Sequence, residues 1–315
     1  MSFTETLCLV LAAVYAFTCL LLSIAVALGW HAGLERRCWR PGELLGLRLL
    51  PAAGAAFLTC TVALPAFLIH EPHREAEPAG PLLVTLALLA LGAAGHGMSR
   101  GWRAWAATRS LLQNCNPVDR YYVKGGRSVD IVAVSQPAAA VVGVWRARIL
   151  AADCVRAACS DEEFRQIIAH EAAHVAAHDN LKLLLQIISP DALTWMPAGR
   201  ALTESWRAAT ELEADARASG CDARKRVALA SALIKVVRLS SGTRPRSLAL
   251  SMPVAVDDLE CRVRELLVPM PSPLSLRPLS IRALAACALV IAVAGVPLYG
   301  IVHESIESLV ALGTR

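Results

Sequence analysis

Four stretches of this chain carry no Asp, Glu, Lys or Arg: residues 6–34, 49–70, 78–99 and 283–303. A helix crossing a hydrocarbon core of about 30 Å at 1.5 Å per residue needs roughly 20 apolar residues. Each stretch meets that requirement, so four membrane helices are expected, near 7–30, 49–69, 81–98 and 283–303. The whole chain agrees: 56% of its 315 residues are hydrophobic, 18% are charged, and its mean hydropathy is +0.49. Soluble domains carry about 25% charged residues. The first stretch reads as an anchor rather than a cleaved leader, because MSFTET contains Glu5 and no basic residue. The third is diluted by Pro78, Pro81, Gly92, Gly95 and His96.

Orientation follows from Lys and Arg in the short flanks. The first connector has Arg36, Arg37 and Arg40, with Arg48 just beyond, whereas the second has Arg74 alone among Glu71, Glu75 and Glu77. Arg100, Arg103 and Arg109 follow the third stretch, and Arg277 and Arg282 precede the fourth. This pattern puts the N-terminus outside, residues 1–99 as three spans, a cytoplasmic domain at 100–267, a Pro-rich linker at 268–282, a fourth span at 283–303, and an outside tail at 304–315.

Ten cysteines show no C-x-x-C pair, so neither a disulfide framework nor a cysteine metal site is signalled. The formal charge of +5 is accounted for by arginines beside an anionic bilayer. The basic run Arg224-Lys225-Arg226 lacks aromatic partners, so direct nucleic-acid binding is not expected.

Within the cytoplasmic part, SVDIVAV, AAAVVGV and RARIL are β-branched runs that predict a small antiparallel sheet. Ser160 with Glu163 forms a capping box that starts a helix. That helix is expected to continue through AHEAAHVAAHDN toward LKLLLQII and to stop at Ser189-Pro190-Asp191. A second long helix follows the Trp195-Met196-Pro197 break and ends at Gly220. An amphipathic helix over 223–239 and a short one in VDDLECRVRELL complete an α+β domain.

His170 and His174 are four residues apart, one turn along the same helix face. Two imidazoles so placed can reach one zinc ion at about 2.0–2.1 Å. Glu171 stands where it can take a proton from an attacking water, which makes His-Glu-x-x-His the pattern of a zinc peptidase. A third ligand is still required. His178 is a poor one, since on a straight helix it cannot swing round to close a tetrahedron; it reads as a polar neighbour, at most on the substrate side. Glu211 on the next long helix is better, completing a His₂Glu set, and Asp215 one turn later can accept a hydrogen bond from a ligand imidazole. Glu213 is out of phase with Glu211 and is expected to face solvent.

HEAAHVAAHDN, ISPDALTWMP and ELEAD together resemble the integral-membrane zinc peptidases of the BlaR/MecR type. The resemblance runs from the spans through ECRVRELL. It implies a zincin-like, gluzincin-type fold in a bacterial plasma membrane, with Zn2+ held by His170, His174 and Glu211. It also implies Glu171 as general base, with Asp179 and Asp215 supporting the ligands. Members of that family sense an outside signal and act on a cytoplasmic transcriptional repressor, so a regulator of that kind is the expected protein substrate. Two departures stand out. Ala177 occupies a position where the family often has Arg, and no S-x-x-K nucleophile follows the fourth span, so β-lactam sensing is not expected.

Other readings are a quality-control or processing protease of the HtpX or CAAX kind, which shares E-x-x-A-D, and a non-catalytic zinc-binding receptor. Glu171 argues against the latter, because a structural zinc site has no use for a base. A substrate is expected to lie extended along the sheet edge between 129 and 152. Self-cleavage would fall in the Pro-rich linker or at 240–246.

Overall fold

The computed structural model describes residues 2–70, 80–115, 117–122, 128–133, 139–240 and 256–268. Among the described residues, three helices are long and apolar enough to cross a membrane: Phe3–His31 (α1), Pro41–Ile69 and Pro81–Asn114 (α4). The expected fourth span, the linker, the tail and the 240–246 cleavage candidate lie outside the described residues, apart from Ser240. The second span is broken internally into α2 (Pro41–Leu58), a π turn at Thr59–Ala63, and α3 (Leu64–His70). Pro65 has no N–H to offer Thr61, and the ladder widens so that Leu64 N–H reaches Thr59 O.

At 34 residues, α4 is about 51 Å long at 1.5 Å per residue, well beyond one bilayer core. Its far end leaves the apolar stretch and carries exposed Trp102 and Trp105. It then supports a four-stranded sheet through Leu111, Leu112 and Cys115, which pack on Val132, Val142 and Leu150.

The strands are β1 (Pro117–Tyr122), β2 (Ser128–Val132), β3 (Ala139–Val142) and β4 (Arg148–Ala152), in the order β1-β2-β4-β3. The sheet is mixed rather than antiparallel as expected, because β4 inserts between β2 and β3 and runs parallel to β2. The two central strands are buried on both faces, the setting in which parallel pairs occur. Val129, Ile131, Ile149 and Ala151 form the opposite face and pack under Phe164, Ile167 and Ile168. Strand β1 was not among the β-branched runs that predict the sheet. A proline is tolerated as the first residue of an edge strand, and β1 is largely exposed.

Six helices follow: α5 (Asp153–Ala158), α6 (Asp161–Ala177), α7 (Asp179–Ile188), α8 (Pro197–Ser219), α9 (Ala223–Ser240) and α10 (Val256–Leu267). The capping box at Ser160 is present, with Glu163 Oε2 accepting from Ser160 N at 2.7 Å. The expected continuous helix through HDN is divided. His178 sits at φ 58°, ψ 39°, ending α6 and turning the chain into α7. The left-handed conformation disfavours a side chain by roughly 1–2 kcal/mol. Here it sends Asp179 back toward α6, and it sends Asn180 Nδ2 to Val141 O and Gly143 O at 3.1 and 2.8 Å.

The three apolar helices share a core with α7 and α8. Val26 and Trp30 of α1, Leu44 of α2 and Ala104 of α4 pack with Leu183, Leu202 and Trp206. Gly97 and Gly101 let α7 approach α4 closely: a Cβ at Gly97 would stand 2.3 Å from Ile188 O, and one at Gly101 would stand 2.5 Å from Ile188 Cγ2. The turn after α7 reaches farther. Tyr15 and Cys19, about halfway along α1, both face Pro190 O, and buried Arg48 of α2 donates to Asp191 at 2.7 Å.

Candidate metal centre

Helix α6 presents His170, Glu171 and His174, all buried, and α8 packs against it to present Glu211 and Asp215, also buried. The ligand atoms of His170, His174 and Glu211 all lie within 4.8 Å of one another. The two Nε2 atoms are 3.1 Å apart, and Glu211 lies 3.3 Å from His170 Nε2 and 3.6 Å from His174 Nε2. Ligands about 2.0–2.1 Å from one zinc in a tetrahedron stand roughly 3.3–3.5 Å apart. The observed separations bracket that value.

The opposite ring atoms explain why the Nε2 lone pairs converge. His174 Nδ1 lies 2.9 Å from Asp179 Oδ2 in a well-formed hydrogen bond. His170 Nδ1 lies 2.8 Å from Asp215 Oδ1, close but poorly aligned. Protons drawn to Nδ1 by these carboxylates leave both Nε2 atoms as acceptors facing each other. Two lone pairs at that distance repel unless a cation or proton lies between them, so the donor set fits a divalent metal. Asp179 and Asp215 thus fall beside the two imidazoles.

Electrostatics point the same way. Burial works to lower the His170 pKa, but the Asp215 and Glu211 carboxylates override it and push the pKa well above the usual histidine range. Burial works to raise the Glu211 pKa, yet His170 and Arg262 hold it well below the ordinary carboxylate value. Glu171 moves the other way: burial raises its pKa, and the neighbouring imidazoles only partly offset this. A carboxylate of raised basicity beside a cation-collecting cluster suits proton transfer.

The residue that sequence reasoning missed is Arg262, on α10. It is 1% exposed, donates to Asp215 through Nε and Nη2 at 2.7 and 2.8 Å, and places Nη1 2.8 Å from Glu211 Oε2. Its signal was available in ECRVRELL, where Arg262 shares a helical face with buried Leu266. An arginine on an otherwise apolar stripe is unusual without a buried acid to meet.

A cavity of about 100 Å³ opens over the cluster, walled by Ala139, Ala140 and Val141 of β3 and by Leu229, Leu233 and Val236 of α9. Glu171, His170, His174 and Glu211 all line it. His178 does not: it is exposed at the α6–α7 turn, a hinge rather than the expected helical neighbour of the site. Glu213 turns away from the cluster and pairs with Arg217.

Residues 100–266, more than half of the chain, match the peptidase family described as BlaR1 peptidase M56. Curated proteins yield no match.

Proposed function

The chain belongs to the BlaR1 peptidase M56 family, and from that premise we propose a membrane-embedded zinc endopeptidase that cleaves a cytoplasmic protein, a transcriptional repressor or regulator, in signal transduction. The observation that carries the reading is the buried His170–His174–Glu211 cluster with Glu171 beside it under a cavity. These three side chains would hold Zn2+. When bound there, the ion supplies Lewis-acid polarisation of the scissile carbonyl and acidifies the attacking water.

The other steps fall to this chain's own groups. Glu171 takes the proton of the attacking water and passes it to the leaving amine. Asp179 and Asp215 fix the imidazole tautomers, and Arg262 keeps Glu211 and Asp215 in place against their mutual repulsion. Substrate lies extended along β3, an edge strand of the sheet. Asn180 already occupies the Val141 and Gly143 carbonyls, which leaves the Ala139–Ala140 end facing the cavity for pairing. The distribution of arginines around the apolar stretches supports a cytoplasmic peptidase region, with both chain ends outside.

The test is Glu171→Gln in the full-length protein. Metal analysis should find zinc retained at the wild-type ratio, while comparison of cellular peptide termini shows a regulator left uncut. A variant that cuts as fast as wild type would sink the mechanism. Zinc bound with no protein termini depending on Glu171 would point to a receptor instead.

A further inference from the structure

Behind the metal cavity, with Leu183 as a shared wall, lies a second cavity of about 200 Å³ between α2, α4, α7 and α8. A single water needs only about 10–15 Å³ by the same measure. Four arginines line it: Arg48, Arg100, Arg200 and Arg207, with Glu204 the one acidic residue among the lining groups. Asp191 lies behind Arg48 as its partner.

The walls are short of acceptors. Arg48 Nε, Arg100 Nη1, Arg207 Nε and Gln186 Nε2 are all buried donors without a hydrogen-bond partner. Arg48 and Gln186 are themselves 3% and 2% exposed. Buried donors left without acceptors are destabilising and uncommon, and four of them belong to side chains that line this one cavity, a concentration of unmet donors that calls for a ligand rich in oxygen and negative charge. Guanidinium groups approaching from three separate helices suit a tetrahedral oxyanion, which accepts from several directions at once.

Position narrows the source. Arg48 immediately precedes the uncharged stretch 49–70, and Arg100 immediately follows 78–99. Arg100 therefore stands where apolar helix meets polar surroundings, the depth of lipid headgroups, while Arg48 reaches inward from the start of its stretch to Asp191. Arg200 and Glu204 are exposed and mark the open side of the cavity.

We infer that this cavity is a phosphate-binding site at the membrane boundary, filled by the phosphoryl group of an anionic phospholipid or of a soluble phosphate. It is independent of the peptidase chemistry.

The experiment uses the full chain with zinc and reads the thermal unfolding midpoint. One arm titrates inorganic phosphate into neutral detergent against chloride at matched ionic strength. The other compares nanodiscs of phosphatidylcholine with and without phosphatidic acid. A saturable rise with inorganic phosphate identifies the soluble source, and a rise with phosphatidic acid alone identifies the lipid. Either supports the site, provided Arg207→Gln weakens the apparent affinity at least about tenfold, or about 1.4 kcal/mol. Arg207 does not line the metal cavity, so this comparison separates the site from phosphate bound at zinc. If Arg207→Gln does not fold, Arg200→Gln at its exposed position is read instead, with a loss of at least about threefold expected. No shift from either phosphate source in the wild type, or unaltered affinity in the variant, overturns the inference.

Discussion

Asp191 is 1% exposed, and Arg48, its partner at 2.7 Å, is 3% exposed. Asp191→Asn keeps the shape of the side chain and deletes its charge, leaving a core guanidinium that meets only neutral acceptors: the new carboxamide oxygen, Gln186 O at 3.4 Å and Thr194 Oγ1 at 3.3 Å. Removing one member of a buried ion pair destabilises by about 3–5 kcal/mol, and the lower end is expected here because the adjoining cavity returns part of the hydration to Arg48. Arg48→Met should be similar, since the Asp191 carboxylate would keep only Ser189 Oγ and Thr194 N as donors. The double variant Arg48→Met/Asp191→Asn has no buried charge left and should recover most of the loss, a coupling of about 2 kcal/mol or more. Chemical unfolding of all four proteins in neutral detergent measures this cycle. Single effects that add to within about 0.5 kcal/mol in the double variant would show that the two residues do not interact. The reasoning that the turn after α7 is pinned into the spans would then be wrong.

Three further outcomes follow from local geometry. Glu163 accepts from Lys235 Nζ, Ser231 Oγ and Ser160 N, and these bonds overcome burial to bring its pKa down to about 2. Its unfolded value is near the ordinary 4.5, so its contribution is full above that pH and is lost as pH falls through about 2; Glu163→Gln should flatten the pH dependence of stability across that window. His178→Gly should leave stability unchanged or raise it by up to about 1 kcal/mol with zinc binding intact, because glycine accepts φ 58° freely. Were the chain helical through HDN, the same change would instead cost about 1 kcal/mol in a melt. Gly97→Ala should destabilise by about 1–3 kcal/mol and loosen α7 from α4, seen as faster amide exchange in 182–188, since its methyl would overlap Ile188 O.

The chemistry-bearing residues were legible because their signals are periodic or local. His170 and His174 share a face by helix geometry alone, the Ser160–Glu163 box announces its own start, and uncharged runs of 20 or more residues specify spans by length. Strand positions were legible from β-branched runs, but their order was not. Whether β4 pairs with β2 or lies at an edge depends on which faces α4 and α6 cover, and that is a property of the assembled layers. The HDN break escaped because its hinge is a histidine rather than a glycine. The conformation is held by what comes after it: Asp179 on His174 and Asn180 on the β3 carbonyls.

By itself, the sequence determined the span lengths, the metal-ligand face of α6 and the acidic face of α8, all set by backbone periods of a few residues. Tertiary structure alone decided that Glu211 meets the two imidazoles, that Arg262 sits between Glu211 and Asp215, and that Arg48 meets Asp191 across 143 positions. Pairs so distant carry no mark in local sequence. A buried charge shows only that some partner is needed, and packing alone selects which one.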